Sequence, residues 1–295
     1  MSQSGFSSGL AAGLVVNVQP PQPPPPPPSA RRKSGRKARH REIELKLEAL
    51  QKDYADLRAA LFEAAQVYRR VSAPRLVQYG DFEIASETFA ARHLPGDFFT
   101  VEEGNNGVIL ALGDISGKGL AAGMWTTLLL GLVGMHSAVG GEPHAIVTGV
   151  NCDLFRISLG APLVSIFLAR LDPVTGRLEY CSAGHPPAFL LRAGGELELL
   201  SDGGTLLGVA SDASFVSGSV EMRVGDLLLA CSDGILEARN YADEEFGFER
   251  FEAQLRRAPR GSADTVLFSV LGAVQDFAGA CLQADDMSLV VVARL

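Results

Sequence analysis

The spacing of apolar runs after Asp81 restricts this chain more than any other feature. Val108–Gly113, Val164–Leu171, Arg177–Ser182, Ala188–Arg192, Phe215–Met222, Leu227–Cys231 and Leu289–Ala293 are short, rich in aliphatic residues and flanked by turn formers. Runs of that length read as strands rather than helices. Asp172-Pro173-Val174-Thr175-Gly176 separates two of them and has the composition of a hairpin turn. Longer helical patterns cover Leu120–Ala138, Pro143–Leu159, Gly247–Arg257 and Ala263–Ala280, and they arrive in pairs. Strand–turn–strand order with paired helices predicts antiparallel sheets layered with helices, not a doubly wound parallel sheet.

The preceding segment is of another kind. Residues 1–41 carry eight of the 16 prolines between Pro20 and Pro28, then seven Lys/Arg and no acid. Such a stretch cannot build a core and is expected to be a disordered tail. Residues 42–72 read as a helical linker. Ile43, Leu47, Leu50, Tyr54, Leu57, Leu61, Ala64, Tyr68 and Val71 recur in alternating steps of four and three, an a/d seam. The seam suits a homodimeric coiled coil through residues 43–71, or an amphipathic helix packed on its own domain. Residues 81–295 form the remaining domain.

Composition excludes several classes. The net charge is −8 and the first 41 residues contribute +7, which leaves −15 on the body. A body that acidic is not expected to bind nucleic acid. Cys152, Cys181, Cys231 and Cys281 lie far apart without a C-x-x-C pair, which argues against zinc and a disulfide framework and for a reducing cytoplasm. Gly119–Gly141 lacks a formal charge and is long enough to span a bilayer, but its six glycines, Thr126, Thr127, His136 and Ser137 predict a buried core helix and no transmembrane segment.

The aspartates fall at strand ends. Asp114 closes VILALG, Asp233 closes LLLACS, Asp285 and Asp286 open MSLVVVA, and Asp97 precedes the first of these. Carboxylates gathered at one edge repel unless a cation neutralises them. Oxygen donors suit Mg²⁺ or Mn²⁺ rather than zinc. Two such ions can bind a phosphate ester and acidify a bridging water. Ordinary turn aspartates also follow strands, and spacing alone leaves both readings open.

The motifs around them are more specific. Gly113-Asp114-Ile115-Ser116-Gly117-Lys118-Gly119 closely resembles the GD[VI]SGKG motif of SpoIIE-like and RsbU-like serine phosphatases in the metal-dependent protein phosphatase (PPM) superfamily. PGDFF at Pro95–Phe99, SAGHPP at Ser182–Pro187, SDGILEARN at Ser232–Asn240 and DDMSLVVV at Asp285–Val292 match in the family's order. The resemblance implies an αββα sandwich of two mainly antiparallel sheets with two divalent cations at one edge. Asp114 would bridge them, the Ile115 carbonyl, Asp233 and Asp285 would complete the first shell of one, and Asp97 would support the other. Asp114, Asp233 and Asp285 are therefore the residues expected to carry catalysis, with Asp286, Ser116 and Lys118 around them.

The chain departs from the family pattern at Pro95, where a second glycine is usual, at Thr100, where an aspartate is common, and at Ser116, where eukaryotic members have histidine. His185 reads as structural in its Pro-rich turn and Cys231 as packing. The resemblance implies a metal-dependent protein serine/threonine phosphatase using a metal-bound hydroxide. Its implied substrate is a phosphoserine protein, a STAS-type anti-sigma-factor antagonist in a partner-switching pathway. The competing reading is a catalytically weak scaffold that binds signalling partners through the phosphatase fold.

Overall fold

The computed structural model describes residues 28–72, 74–104, 106–157 and 162–295. The expected disordered stretch through residue 27 and residues 158–159 of the expected second helix lie outside them. The chain divides into two compact units, Met1–Asp56 and Leu57–Leu295.

Helix α1 spans Pro28–Val71, so it starts well before the expected residue 42 and takes in the basic cluster. Proline suits the first turn of a helix, and Arg, Lys and Ala are good helix formers. The proline run followed by a basic cluster predicts a tail there instead. The seam residues Ile43, Leu47, Leu50, Tyr54 and Leu57 are all more than half exposed, whereas Leu61, Ala64 and Tyr68 are half-buried.

In the second unit the chain runs β1 (Leu76–Tyr79), β2 (Phe82–Phe89), β3 (Phe98–Gly104), β4 (Gly107–Ile115), α2 (Leu120–Val139) and α3 (Pro143–Ile157). It continues through β5 (Val164–Leu171), β6 (Arg177–Ala183), β7 (Ala188–Leu191), β8 (Leu197–Leu200), β9 (Gly203–Gly204), β10 (Gly218–Glu221) and β11 (Leu227–Cys231). It ends with α4 (Asp233–Leu236), α5 (Gly247–Arg257), α6 (Ala263–Ala278) and β12 (Met287–Arg294). One sheet has the order β1-β2-β12-β11-β7-β8 and the other β10-β6-β5-β4-β3, with β9 beside β6. Every pairing is antiparallel except β6 with β9.

Strand periodicity assigns each residue to a layer. On β11, Leu227, Leu229 and Cys231 face α5 and α6, while Leu228 and Ala230 face the other sheet. On β12, Leu289, Val291 and Ala293 alternate in the same way with Val290 and Val292. On β4, Val108, Leu110 and Leu112 enter the core between the sheets, while Ile109, Ala111 and Ile115 meet α2 and α3. Three stacked cores give the expected αββα order. The central strands are covered on both faces, so they read as unbroken apolar runs despite being antiparallel.

The Asp172 turn forms as expected: its carboxylate accepts the Val174 N–H at 2.9 Å, and Gly176 takes a positive φ of 81°. Strand β10 is shorter than the expected Phe215–Met222. Phe215 packs in the core beneath α3, and the Met222 N–H leaves the ladder for the Gly176 carbonyl at 2.9 Å. Strands β2 and β3 escape the sequence reading because Glu83, Glu87, Glu102 and Glu103 interrupt their apolar character. Among the described residues, α2 is the one helix long and apolar enough to cross a membrane. Eight of its residues, Leu129 and Val133 among them, are buried against the sheet and α3.

Leu229 is fully buried with β2, β12 and α6 around it. Leu229→Ala is expected to lower unfolding stability by about 2–5 kcal/mol in urea titrations. A loss below about 1 kcal/mol would contradict the two-sided packing of β11.

Candidate functional site

The two sheets bring their aspartate-bearing ends together. In one sheet, Phe98 pairs with Gly113, a register that sets Asp97 opposite Asp114. In the other, Cys231 pairs with Leu289. Beyond that pair the Ser232 N–H donates to the Ser288 carbonyl at 3.0 Å, and the Ser288 N–H donates to Ser232 Oγ at 2.9 Å. Ser232 Oγ also donates to the Asp286 carbonyl at 3.3 Å. These bonds stitch the SDG turn to the DDMS segment. A Cβ on Gly234 would stand 1.9 Å from the Asp286 carbonyl oxygen, so the approach requires glycine.

The electrostatics record the crowding. Asp97 is almost fully buried, and burial followed by the Asp114 charge raises its carboxyl well above the usual range. Burial, then Asp233, pushes Asp114 up to about 6. Burial, then Asp285, raises Asp233. Asp97 Oδ2 is buried with no hydrogen-bond partner. A buried carboxylate oxygen without a partner is costly.

The chemistry of this donor set, though not its spacing here, suits a hard divalent cation. It offers oxygen alone, carries excess negative charge and leaves one carboxylate oxygen unused. Gly96 keeps the space open: a Cβ there would lie 3.1 Å from the Ile115 carbonyl oxygen and 3.4 Å from Asp114 Oδ1. Among the described residues, no three acidic, His or Cys side chains are grouped as closely as a metal shell requires. The carboxylates are neighbours that repel, and Lys118 engages one of them. Its Nζ lies 2.7 Å from Asp285 Oδ2 and donates to the Ala284 carbonyl at 2.6 Å.

The surrounding residues have distinct tasks. The buried Asp286 carboxylate accepts the Ala91 N–H at 2.7 Å and the Gly96 N–H at 2.6 Å, which fixes the loop carrying Asp97. Ser116 Oγ accepts the Leu163 N–H at 3.0 Å and ties the GDISGKG turn to the start of β5. Thr100 Oγ1 donates to Glu102 Oε1 at 3.3 Å within β3. His185 is buried, with Nδ1 2.8 Å from Ser165 Oγ, and burial lowers its pKa to about 3, so it is neutral and structural. Cys231 is fully buried, and burial raises its thiol strongly, which suits packing.

Sequence reading missed three participants. Tyr68 donates its hydroxyl to the Asp97 carbonyl at 2.6 Å, and burial raises its pKa. It had been counted only as a seam residue. Ser232 and Ser288 act as stitches, and only their places within the motifs hinted at it.

The profile of the family described as Stage II sporulation protein E (SpoIIE) matches residues 104–295. The chain is 25% identical over 260 residues to protein IcfG of Synechocystis, covering 78% of this chain and 40% of that one. It is 22% identical over 246 residues to the phosphoserine phosphatase RsbU of Bacillus subtilis, covering 81% of this chain and 71% of that one. Thus it spans well under half of IcfG and most of RsbU. In fold it resembles the SiaA-PP2C domain of Pseudomonas aeruginosa, with a TM-score of 0.71, 19% identity, and coverage of 84% of this chain and 99% of that one. A family profile covering well over half of the chain, on a sandwich that gathers the motif aspartates at one edge, places this protein in the SpoIIE family.

Proposed function

We propose that the protein is a metal-dependent protein serine/threonine phosphatase that hydrolyses a phosphoserine protein. The observation that carries this reading is the gathering of Asp97, Asp114, Asp233 and Asp285 into mutual repulsion, with one buried Asp97 oxygen unpartnered. Asp114, Asp233, Asp285 and the Ile115 carbonyl would hold one divalent cation, and Asp114 with Asp97 a second. Mn²⁺ or Mg²⁺, when bound, would polarise the phosphate and acidify the attacking water.

The chain's own residues do the rest. Asp286 fixes the Asp97 loop through the Ala91 and Gly96 N–H groups. Lys118, half-exposed beside Asp285, supplies positive charge at the mouth of the site to draw in the phosphate. Ser116 stands where a histidine acid would, and His185 is buried and neutral, so a water would protonate the leaving serine oxygen. RsbU is named a phosphoserine phosphatase, and that likeness supports a phosphoserine protein of the STAS antagonist type as substrate. The free state of all four cysteines agrees with a reducing cytoplasm. A scaffold without chemistry has no use for an unpartnered buried carboxylate, and nothing at the site favours it.

We also assign control to α1. Residues 43–57 would pair with a second copy, and Tyr68 reaches the Asp97 loop directly. Repacking near Tyr68 would therefore move a cation ligand. This allots the two ends of the seam different partners.

Asp233→Asn keeps the shape of the side chain and removes a charge. It is expected to weaken Mn²⁺ binding and turnover by at least about tenfold while far-UV circular dichroism is unchanged; wild-type turnover across a Mn²⁺ titration would remove Asp233 from the site. Acid should act in the same direction. Burial and then the Asp233 charge push the Asp114 carboxyl up to about 6, so protons compete with the cation below that pH. Mn²⁺ affinity measured by calorimetry should fall as pH drops from 7 to 5, with proton release on binding in that window.

The double variant Leu50→Asp, Leu57→Asp places charge on two exposed seam positions. Light scattering should report a monomer, and turnover or cation requirement should change. A monomer with unaltered kinetics would reduce α1 to a tether, and an unchanged dimer would move the contact elsewhere.

A further inference from the structure

Beside the carboxylate cluster lies a cavity of about 240 Å³ walled by α4, the end of α6 and the loop before β12. At ~30 Å³ per molecule it has room for roughly eight waters, enough for one large side chain. Asp285 belongs to both the cluster and the cavity wall, and Gly234 in the wall directly follows Asp233, so the two are continuous. Val274 and Met287, both buried, line it together with Ala238 and Ala278. Leu282, also in its lining, is 96% exposed.

The wall is held in place without a ligand. Gln283 Nε2 donates to the Phe89 carbonyl at 2.6 Å and to the Asp285 carbonyl at 2.7 Å, pinning the loop. The Cys281 N–H donates to the Ala278 carbonyl at 3.2 Å. Charge then selects the occupant. Arg239 is committed to Asp243 and Glu245, and Asp285 to Lys118, while Glu237 puts a carboxylate on the lining. An acidic side chain would meet repulsion there, and an apolar one would cover Leu282 and the aliphatic lining.

We infer that this cavity is a specificity pocket that takes an apolar side chain of the substrate close in sequence to the phosphoserine. It rests on the phosphatase reading, because a phosphoserine delivered to the carboxylates brings its flanking chain within reach of the shared wall. The pocket would let the enzyme select among phosphoproteins through a residue that takes no part in the chemistry.

The test uses phosphoserine peptides of alanine and glycine in which one leucine is moved through the positions flanking the phosphoserine, with an aspartate series as control. p-Nitrophenyl phosphate, which carries no peptide chain, reports the basal chemistry. In wild type one leucine position should raise kcat/KM about tenfold or more, the scale of burying one such side chain, and aspartate there should lower it. Ala278→Phe fills the pocket, and Leu282→Asp alters its most exposed lining residue without touching the core. Both should erase the leucine preference and leave p-nitrophenyl phosphate turnover unchanged. A flat peptide series, no turnover of any peptide, or a preference that survives both variants would overturn the pocket while leaving the phosphatase standing. No turnover of p-nitrophenyl phosphate with Mn²⁺ would remove the phosphatase reading, and the pocket with it.

Discussion

The mutual repulsion of the carboxylates at the meeting edges of the two sheets is the constraint around which this structure is arranged. Burial raises Asp97, Asp114 and Asp233 together, and each worsens the position of a neighbour. A fold can keep such a cluster only if the backbone holding it cannot spread to relieve the strain. The frame supplies that resistance. Ser232 bonds across to Ser288 and to the Asp286 carbonyl, and Asp286 in turn grips the loop of Asp97. The cluster is thereby held by hydrogen bonds among serine hydroxyls, backbone groups and the Asp286 carboxylate.

That network is rigid because the strands behind it are. Strands β4, β11 and β12 are packed on both faces, between a helical layer and the opposite sheet. A one-residue slip in β11 would send Leu229 and Leu228 into each other's layers and displace Asp233 from the edge. The core thus fixes the register, and the register fixes the site. The two glycines that matter most obey the same logic. At Gly234 the loops approach too closely for any side chain, and at Gly96 a Cβ would crowd the Ile115 carbonyl at 3.1 Å.

Legibility followed burial. The strands covered on both faces stood out as apolar runs, and the motif aspartates stood at their ends, so the sandwich and its carboxylate edge could be read from sequence. β2 was not legible: Glu83 and Glu87 on its partly exposed face broke the run. α4 is a single turn starting at Asp233, too short to leave a periodic signal. The early start of α1 was hidden because a basic cluster can be solvated as coil or as helix, and composition does not choose between them. Tyr68 was read as one more seam position. Its hydroxyl, the atom that matters, satisfies no periodicity and reveals its partner, the Asp97 carbonyl, only in three dimensions.

Chemistry and selection are divided between different parts of this chain. The carboxylates sit on strand ends whose positions the core dictates, so they have little freedom to vary without loss of the fold. The walls of the neighbouring cavity belong to a one-turn helix, a helix end and a loop held by the Gln283 side chain. Val274 and Met287 in that wall belong to a stacked core, but Leu282 and Gln283 lie on the exposed loop, where changes leave strand register untouched. A phosphatase that must distinguish one phosphoserine protein from many gains nothing from altering its carboxylates, since every phosphoserine presents the same group to them. Discrimination has to come from contacts with what surrounds the phosphate. In this structure the cavity shared with Asp285 and Gly234 offers those contacts on segments that can change while the carboxylate edge stays fixed.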